Sequence, residues 1–254
     1  MALGFVRAAR PEDAAEIARI QLSTWRSSYR RMFPPHVLAN LDEAYLTRGW
    51  SEAIESAPSG RHRVLIAVEQ SEATTTVVGF AAAGPADEQA LVPDEPALAD
   101  DVAAITDLLI EPRWGRRGHG SRLLAAVVDR WREDGFATAV AWAYEQDKAM
   151  RAFLASAGWE PDGAGRALDV DDMLVPQLRL HVGLGPDAPG GQGASLSEAG
   201  APETGAPKTG AAPGGAEAAD ANATPRGTNA TDANATASGT YATGAKVTSG
   251  EGGE

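Results

Sequence analysis

Apolar positions in the first 184 residues fall into blocks of period two and period 3.6, and the changes of period mark the predicted elements. Phe5–Ala8 reads as a short first strand. Pro11 opens a helix with Glu12 and Asp13 in its first turn, where the helix dipole favours carboxylates. Ile17, Gln21, Trp25 and Ser28–Tyr29 continue it at helical spacing, up to Arg30–Arg31. The Pro34–Pro35 pair stops it, and a second helical region begins at Val37–Leu41 and runs to about Ile54. After the loop Ala57–Gly60, the β-rich runs Val64–Val68 and Thr75–Ala82 flank the polar Glu69–Ala73, which is the pattern of an antiparallel hairpin. Gly84–Asp101 is acidic, proline-containing and irregular.

Ala103–Ile110 is the most apolar strand candidate and is expected at the centre of a sheet, with Pro112 ending it. Leu123, Leu124, Val127, Val128 and Trp131 mark a helix, and Thr138–Tyr144 marks a further strand. Lys148–Ala157 is a helix with Met150, Phe153, Leu154 and Ala157 on one face, capped by Gly158. Gly163–Leu168 and Leu178–Val182 make a last pair of short strands. The order β-α-α-β-β-β-α-β-α-β-β predicts an α+β fold, with a mixed central β-sheet of about seven strands flanked by helices.

Composition divides the chain. All six tryptophans and all five phenylalanines lie before residue 160, while from Gly185 onward Leu196 and Val247 are the only large aliphatics and 15 of the 28 glycines are found. So little apolar surface cannot offset the entropy cost of folding, so residues 185–254 are expected to be a disordered, low-complexity Ala/Gly/Thr/Pro tail. Asn222, Asn229 and Asn234 match glycosylation acceptors there, a match read as compositional. The folded domain is then 4–182, and a domain of that size buries roughly 70% of its unfolded surface.

Charge and cysteine usage narrow the chemistry. Residues 1–184 carry 27 acidic and 19 basic side chains, a balance that disfavours nucleic acid and anionic membranes as partners. With no cysteine in the chain, disulfides, thiolate zinc sites and a cysteine nucleophile are all excluded. His36, His62, His119 and His181 form no metal-ligand spacing, so no metal is expected. The first residues are charged too early for a secretory signal and no apolar run approaches membrane-spanning length, so a cytoplasmic location is expected.

The candidate chemistry lies between Ile105 and Leu124, where a strand feeds a glycine- and arginine-rich turn that opens a helix. Gly118 and Gly120 allow close backbone approach, the helix start offers unpaired N–H groups, and Arg113, Arg116, Arg117 and Arg122 supply positive charge. This combination suits a pyrophosphate. The turn lacks the Lys-Ser/Thr ending of a Walker loop, and Leu123 stands where a dinucleotide fingerprint needs its third glycine. Taken alone, two glycines in a tight turn fit a ligand-free turn equally well.

Pro112-x-Trp-Gly-Arg-Arg-Gly-His-Gly-Ser-x-Leu-Leu124 resembles the acyl-CoA loop of the GNAT superfamily of N-acetyltransferases. Trp142-Ala-Tyr-Glu-Gln-Asp147-x-x-Met-x-x-Phe153-Leu154-x-x-x-Gly158-Trp159 resembles that family's second motif, and the element order matches over residues 4–182. The resemblance implies the acyl-CoA N-acyltransferase type of fold. It also implies acetyl-CoA as co-substrate, bound between Ala103–Ile110 and Thr138–Tyr144, with pantetheine on the backbone of Leu108, Leu109 and Ile110. The pyrophosphate would lie on Arg116, Arg117, Gly118, His119, Gly120 and Ser121, with Asp147 at the position of the second motif's usual Asn. The resemblance further implies that a backbone N–H polarises the thioester and that the amine attacks directly in a ternary complex.

The catalytic groups are less settled. An ammonium of pKa ~10 must lose a proton before attack. Asp107, a charge inside an apolar strand, is the candidate base, while an edge-facing or salt-bridged aspartate is the alternative. It would be a relocated base, because the position matching the family's upstream Glu is Ala104; Glu111 is placed past the strand end. Leu154 occupies the position where many members carry a Tyr that protonates the CoA thiolate, so Tyr144 is the candidate acid, with packing as its alternative. Packing is also the reading for His119. Trp25 and Tyr29 lie in the helical segment expected to roof the acceptor pocket. The acceptor is expected to be a small-molecule amine or a protein N-terminal or lysine amine, and a homodimer is left open. A non-catalytic acyl-CoA-binding or sensing module is the rival function, favoured by Leu154.

Overall fold

The computed structural model of the chain describes residues 3–185 and 246–248, all within one compact unit. Strand β1, Leu3–Ala8, leads into the 3-10 turn Pro11–Asp13 and helix α1, Ala14–Ser28. Asp13 is buried, accepts from the Arg10 amide and takes both Arg7 Nη atoms at 2.7 and 2.9 Å, so the predicted first-turn acid is an anchor to β1 as well as a dipole partner. Gln21, polar on the inward face of α1, accepts from Trp50 Nε1 at 2.8 Å, which satisfies both groups in the core.

The single helical region expected to run on from Val37 is two helices, α2 (Pro35–Ala39) and α3 (Glu43–Glu55). Asp42 breaks it by capping α3, its Oδ1 accepting from the Ala44 and Tyr45 amides. Capping aspartates satisfy amides that otherwise have no acceptor, so the local preference of Asp42 overrides continuation. Strands β2 (Arg63–Gln70) and β3 (Thr75–Pro85) form the expected hairpin, followed by β4 (Val102–Ile110), α4 (His119–Glu133), β5 (Thr138–Tyr144) and α5 (Lys148–Ser156). The last pair, β6 (Glu160–Val170) and β7 (Met173–Gly183), is longer than the expected short strands because the ladder runs on through Asp169 opposite Leu174 and Val170 opposite Met173 to the turn between them.

The strand order is β1-β2-β3-β4-β5-β7-β6, with an eighth strand, Lys246–Thr248 (β8), beside β6. Apart from Gly185 and these three residues, the segment expected to be a disordered tail lies outside the described residues, as do its three asparagine motifs. Among the described residues only β4 and β5 pair in parallel, and the other ladders are antiparallel. One sheet face packs on α1, α2 and α3 through residues such as Ile17, Trp50, Phe80 and Leu109. The opposite face packs on α4 and α5 through Leu108, Leu123, Trp131 and Leu154. Among the described residues, no helix is long and apolar enough to cross a membrane.

Candidate active site

The site begins where the two parallel strands part. Their register runs from Val102 opposite Thr138 to Ile105 opposite Ala141 and stops, so β4 from Thr106 onward has no ladder partner on its β5 side. The opening continues into a cavity of about 120 Å³. Trp25, Tyr29, Asp107, Trp142, Tyr144 and Arg166 line it toward the α1 face, and Met150 and Leu154 of α5 line it from the other face. Backbone N–H and C=O groups left free at such a splay need partners, which amides of an extended ligand can supply.

A bulge decides what faces this opening. Asp107 pairs with Ala82 and Ile105 with the following residue, Ala83, leaving Thr106 between them without a partner while its hydroxyl donates to the Ala82 carbonyl at 3.2 Å. Simple alternation would give Asp107 the same face as Ile105. The inserted residue instead turns Asp107 toward the α1 face, on the side of Leu109, and Ile105 stays in the α4 layer. Asp107 Oδ2 is buried without a hydrogen-bond partner. Burial pushes the carboxyl up to about 7, against a smaller pull from the Thr106 side chain. The salt-bridged alternative does not describe it: no cation lies within ion-pair distance among the described residues. Glu111, past the end of β4, is the opposite case. Although burial alone would raise it, Arg19 at 3.0 Å and Arg113 at 3.0 Å hold this carboxylate below its ordinary value, so it is an ion-pair partner outside the cavity.

Aromatic rings fix the rest of the wall. Tyr144 meets Tyr29 edge-on at 5.3 Å and Phe33 at 5.5 Å, and Phe33 in turn meets Trp25 at 6.2 Å. Burial first, and then the Asp107 charge, keep the Tyr144 phenol above its ordinary value, so it stays protonated at neutral pH. Burial and the Asp147 carboxylate do the same for Tyr29. Trp25 and Tyr29 are therefore both core and lining. Asp147 lines the cavity too, and caps α5 by accepting from the Met150 amide at 2.9 Å.

The glycine- and arginine-rich turn adjoins the outer end of β4. Arg116 and Gly118 are both left-handed, with φ of 60° and 79°, and Gly118 precedes α4 without any side-chain cap. The first amides of α4, from His119, Gly120 and Ser121, have no acceptor within the helix. Arg122 binds the Arg117 carbonyl at 2.8 Å and the Gly4 carbonyl at 3.4 Å, and Arg113 pairs with Glu111, so two of the four arginines hold the turn itself. Arg116 and Arg117 are exposed, the latter with its guanidinium 4.8 Å from the Trp114 ring centre. His119 is buried as the first residue of α4 rather than in the loop, with Nε2 3.3 Å from Glu69. Burial and Arg122 lower its pKa against the pull of Glu69, so it is neutral and packs at the turn. Leu108 and Leu109 reach the cavity; Ile110 packs at its outer end against Gly79 and near Gly120.

Reasoning from sequence missed Arg166 and Gln177, which stand in one cross-strand row with Tyr144. A charged residue inside a short strand is the same signal that pointed to Asp107, and it was present at Arg166.

Residues 14–159 match the family model described as Acetyltransferase (GNAT) family. An uncharacterised N-acetyltransferase, YuaI, of Bacillus subtilis (strain 168) is 28% identical over 181 residues, covering 71% of this chain and 91% of that relative. An N-acetyltransferase structure from Staphylococcus aureus Mu50 superposes with a TM-score of 0.52 at 15% identity, covering 72% of this chain and 99% of that one. The acetyltransferase yncA of Salmonella typhimurium, solved with its cofactor acetyl-CoA, gives a TM-score of 0.51 at 19% identity, covering 73% of this chain and 97% of that one.

Proposed function

Given that the chain belongs to the acetyltransferase (GNAT) family, we propose that it transfers the acetyl group of acetyl-CoA to a primary amine by direct attack in a ternary complex. The observation that carries this reading is a buried, unpaired carboxyl and a protonated phenol facing one cavity at the splay of β4 and β5.

Acetyl-CoA supplies the activated acyl group, and the residues present fit it. The unpaired edge of β4 around Leu108–Ile110 offers amide partners to pantetheine and an N–H donor to the thioester carbonyl. The start of α4 with Arg116, Arg117, Gly118, His119, Gly120 and Ser121 offers backbone donors and charge to the pyrophosphate. Asp107, whose carboxyl burial pushes up to about 7, accepts a proton from the amine directly or through water. As the new C–N bond forms and the C–S bond breaks, Tyr144 donates its phenolic proton to the departing thiolate and is reprotonated from solvent. Tyr144 thereby takes the part left open by Leu154, an apolar residue that lines the same cavity.

The test is release of free thiol from acetyl-CoA with a panel of primary amines, with the product mass measured. Amine-dependent release with a mass gain of one acetyl group is expected. CoA binding with no release from any amine would support the acyl-CoA-binding module that Leu154 favours.

A further inference from the structure

Two arginines of neighbouring strands reach the same acidic segment, and they are treated differently. Arg179 of β7 binds the Ala90 carbonyl at 2.8 Å and is neutralised twice, by Glu95 at 2.6 Å and Asp162 at 2.6 Å. Arg166 of β6 binds the Gln89 carbonyl through Nη1 at 2.6 Å and the Gln177 side chain through Nε at 2.7 Å, but no carboxylate stands within ion-pair distance among the described residues. Its guanidinium reaches back across β7 to lie 4.1 Å from the centre of the Trp142 ring, and the residue lines the cavity that holds Asp107. Burial, aided by the like charge of Arg179, lowers its pKa to about 10 against a weaker pull from Tyr144 and Asp87. Asp107 is not its partner: no ion pair joins the two among the described residues, and burial and the Thr106 side chain are what shift that carboxyl. Asp87 also lines the cavity, but it is exposed and beyond ion-pair distance.

Unspent donors accompany this charge. Nη2 of Arg166 makes no hydrogen bond among the described residues, and Trp142 Nε1 is buried without a partner. Trp142 Nε1 has lost its water without gaining an acceptor, an arrangement that an acceptor oxygen of a ligand would complete. The cavity is small; besides Asp87, which is exposed, and Asp147, which caps α5, it carries the buried carboxyl of Asp107 and the cation of Arg166, which form no ion pair with each other. That arrangement is complementary to a zwitterion.

We propose that the acceptor is a small amine that carries a carboxylate, with the acid group held by Arg166 Nη2 and Trp142 Nε1 and the amine directed toward Asp107. The proposal rests on the amine-acetylation reading above and narrows it to free amino acids and related amino acids in the chemical sense. The acidic Gly84–Asp101 segment reaches this end of the cavity through Gln89 and Ala90, and its Glu95 pairs with Arg179 and not with Arg166.

The test pairs each of the common amino acids with its amide and its decarboxylated amine, in two measurements on the full chain. The first is calorimetric titration of each compound into protein saturated with CoA, which needs no turnover. The second is thiol release from acetyl-CoA. Carboxylated members are expected to bind and react at least ~10-fold better than their partners, since charge-assisted hydrogen bonds contribute ~1.5–3 kcal/mol. Arg166→Met is expected to abolish that preference, and Arg166→Lys to restore part of it, with CoA affinity retained in both. Equal or better binding by amides and decarboxylated amines, or a preference that survives Arg166→Met, overturns the proposal. The parental preference alone decides the matter if the variants fold poorly. Thiol release that is indifferent to the carboxylate would overturn this inference and leave the acetyltransferase reading standing, whereas carboxylate-selective binding without any release would do the reverse.

Discussion

Asp107 of β4 stands directly opposite Ala82 of β3, while the next residue of β3, Ala83, stands opposite Ile105. The one-residue slip at Thr106 is what brings a carboxyl into the cavity, and it turns an ordinary strand aspartate into a candidate base. Replacing Asp107 by Asn keeps the shape and removes the proton acceptor. Turnover is expected to fall ~10²–10⁴-fold, the usual worth of a general base, with CoA affinity unchanged. In the parent, kcat/KM should rise with pH through an apparent pKa near 7, the value at which Asp107 ionises. In the variant the residual rate should climb steadily instead, as the amine ionises by itself. Parental turnover at pH 7 in the Asn variant would exclude Asp107.

The same carboxyl carries a stability prediction. Its native pKa of about 7 lies above the unfolded value of ~3.9, so the native state binds more protons between these limits. Its contribution is present in full below about pH 4 and is lost as pH rises through about 7. Urea unfolding at pH 5 and pH 8 should show Asp107→Asn gaining on the parent at the higher pH, by on the order of a few kcal/mol. An equal difference at both pH values would show that the carboxyl is solvated.

At Gly120 a Cβ would meet Phe153 at 3.5 Å and Ile110 at 3.7 Å, both ordinary contacts. Gly120→Ala should therefore fold normally and bind CoA nearly as the parent does. Gly120→Glu places a like charge at the anion end of the turn and should remove most CoA affinity. Calorimetric titrations of the two variants that match each other would show that the turn does not hold the cofactor.

Tyr144→Phe retains the ring contacts with Tyr29 and Phe33 and deletes only the phenolic proton. Thiol release is expected to slow by ~10-fold or more, with KM for acetyl-CoA little changed. A parental rate would assign the acid role to water.

Arg179 is a structural control beside the proposed site. It is buried and ties β7 to Glu95 and Asp162, so Arg179→Leu leaves two carboxylates without their cation. Breaking such a pair costs about 3–5 kcal/mol, and a lowered Tm with easier proteolysis between residues 84 and 101 is expected. An unchanged Tm would show that the segment is held by other contacts.

How much of this was legible beforehand follows from the range of the forces involved. Period-two and period-3.6 patterns are local, and so the strands Val102–Ile110 and Thr138–Tyr144 and the helices α1, α4 and α5 could be placed from neighbouring residues alone. The glycine- and arginine-rich turn was legible for the same reason, since Gly118, Gly120 and the arginines are contiguous in the chain. Asp42 was local too, but its capping signal lies inside a helical pattern and was outweighed by it. The tertiary structure decided whatever depends on a partner far along the chain. The bulge at Thr106 exists only against β3, and the splay that opens the cavity exists only between β4 and β5. The uncompensated charge of Arg166 depends on which acidic groups of residues 84–101 reach β7 rather than β6. Sequence therefore determined which elements form and where a phosphate could lie, because backbone preference and amphipathic period are written within a few residues. Which face Asp107 takes, and which cation is left for a ligand, was decided by strand register and side-chain pairing across the sheet.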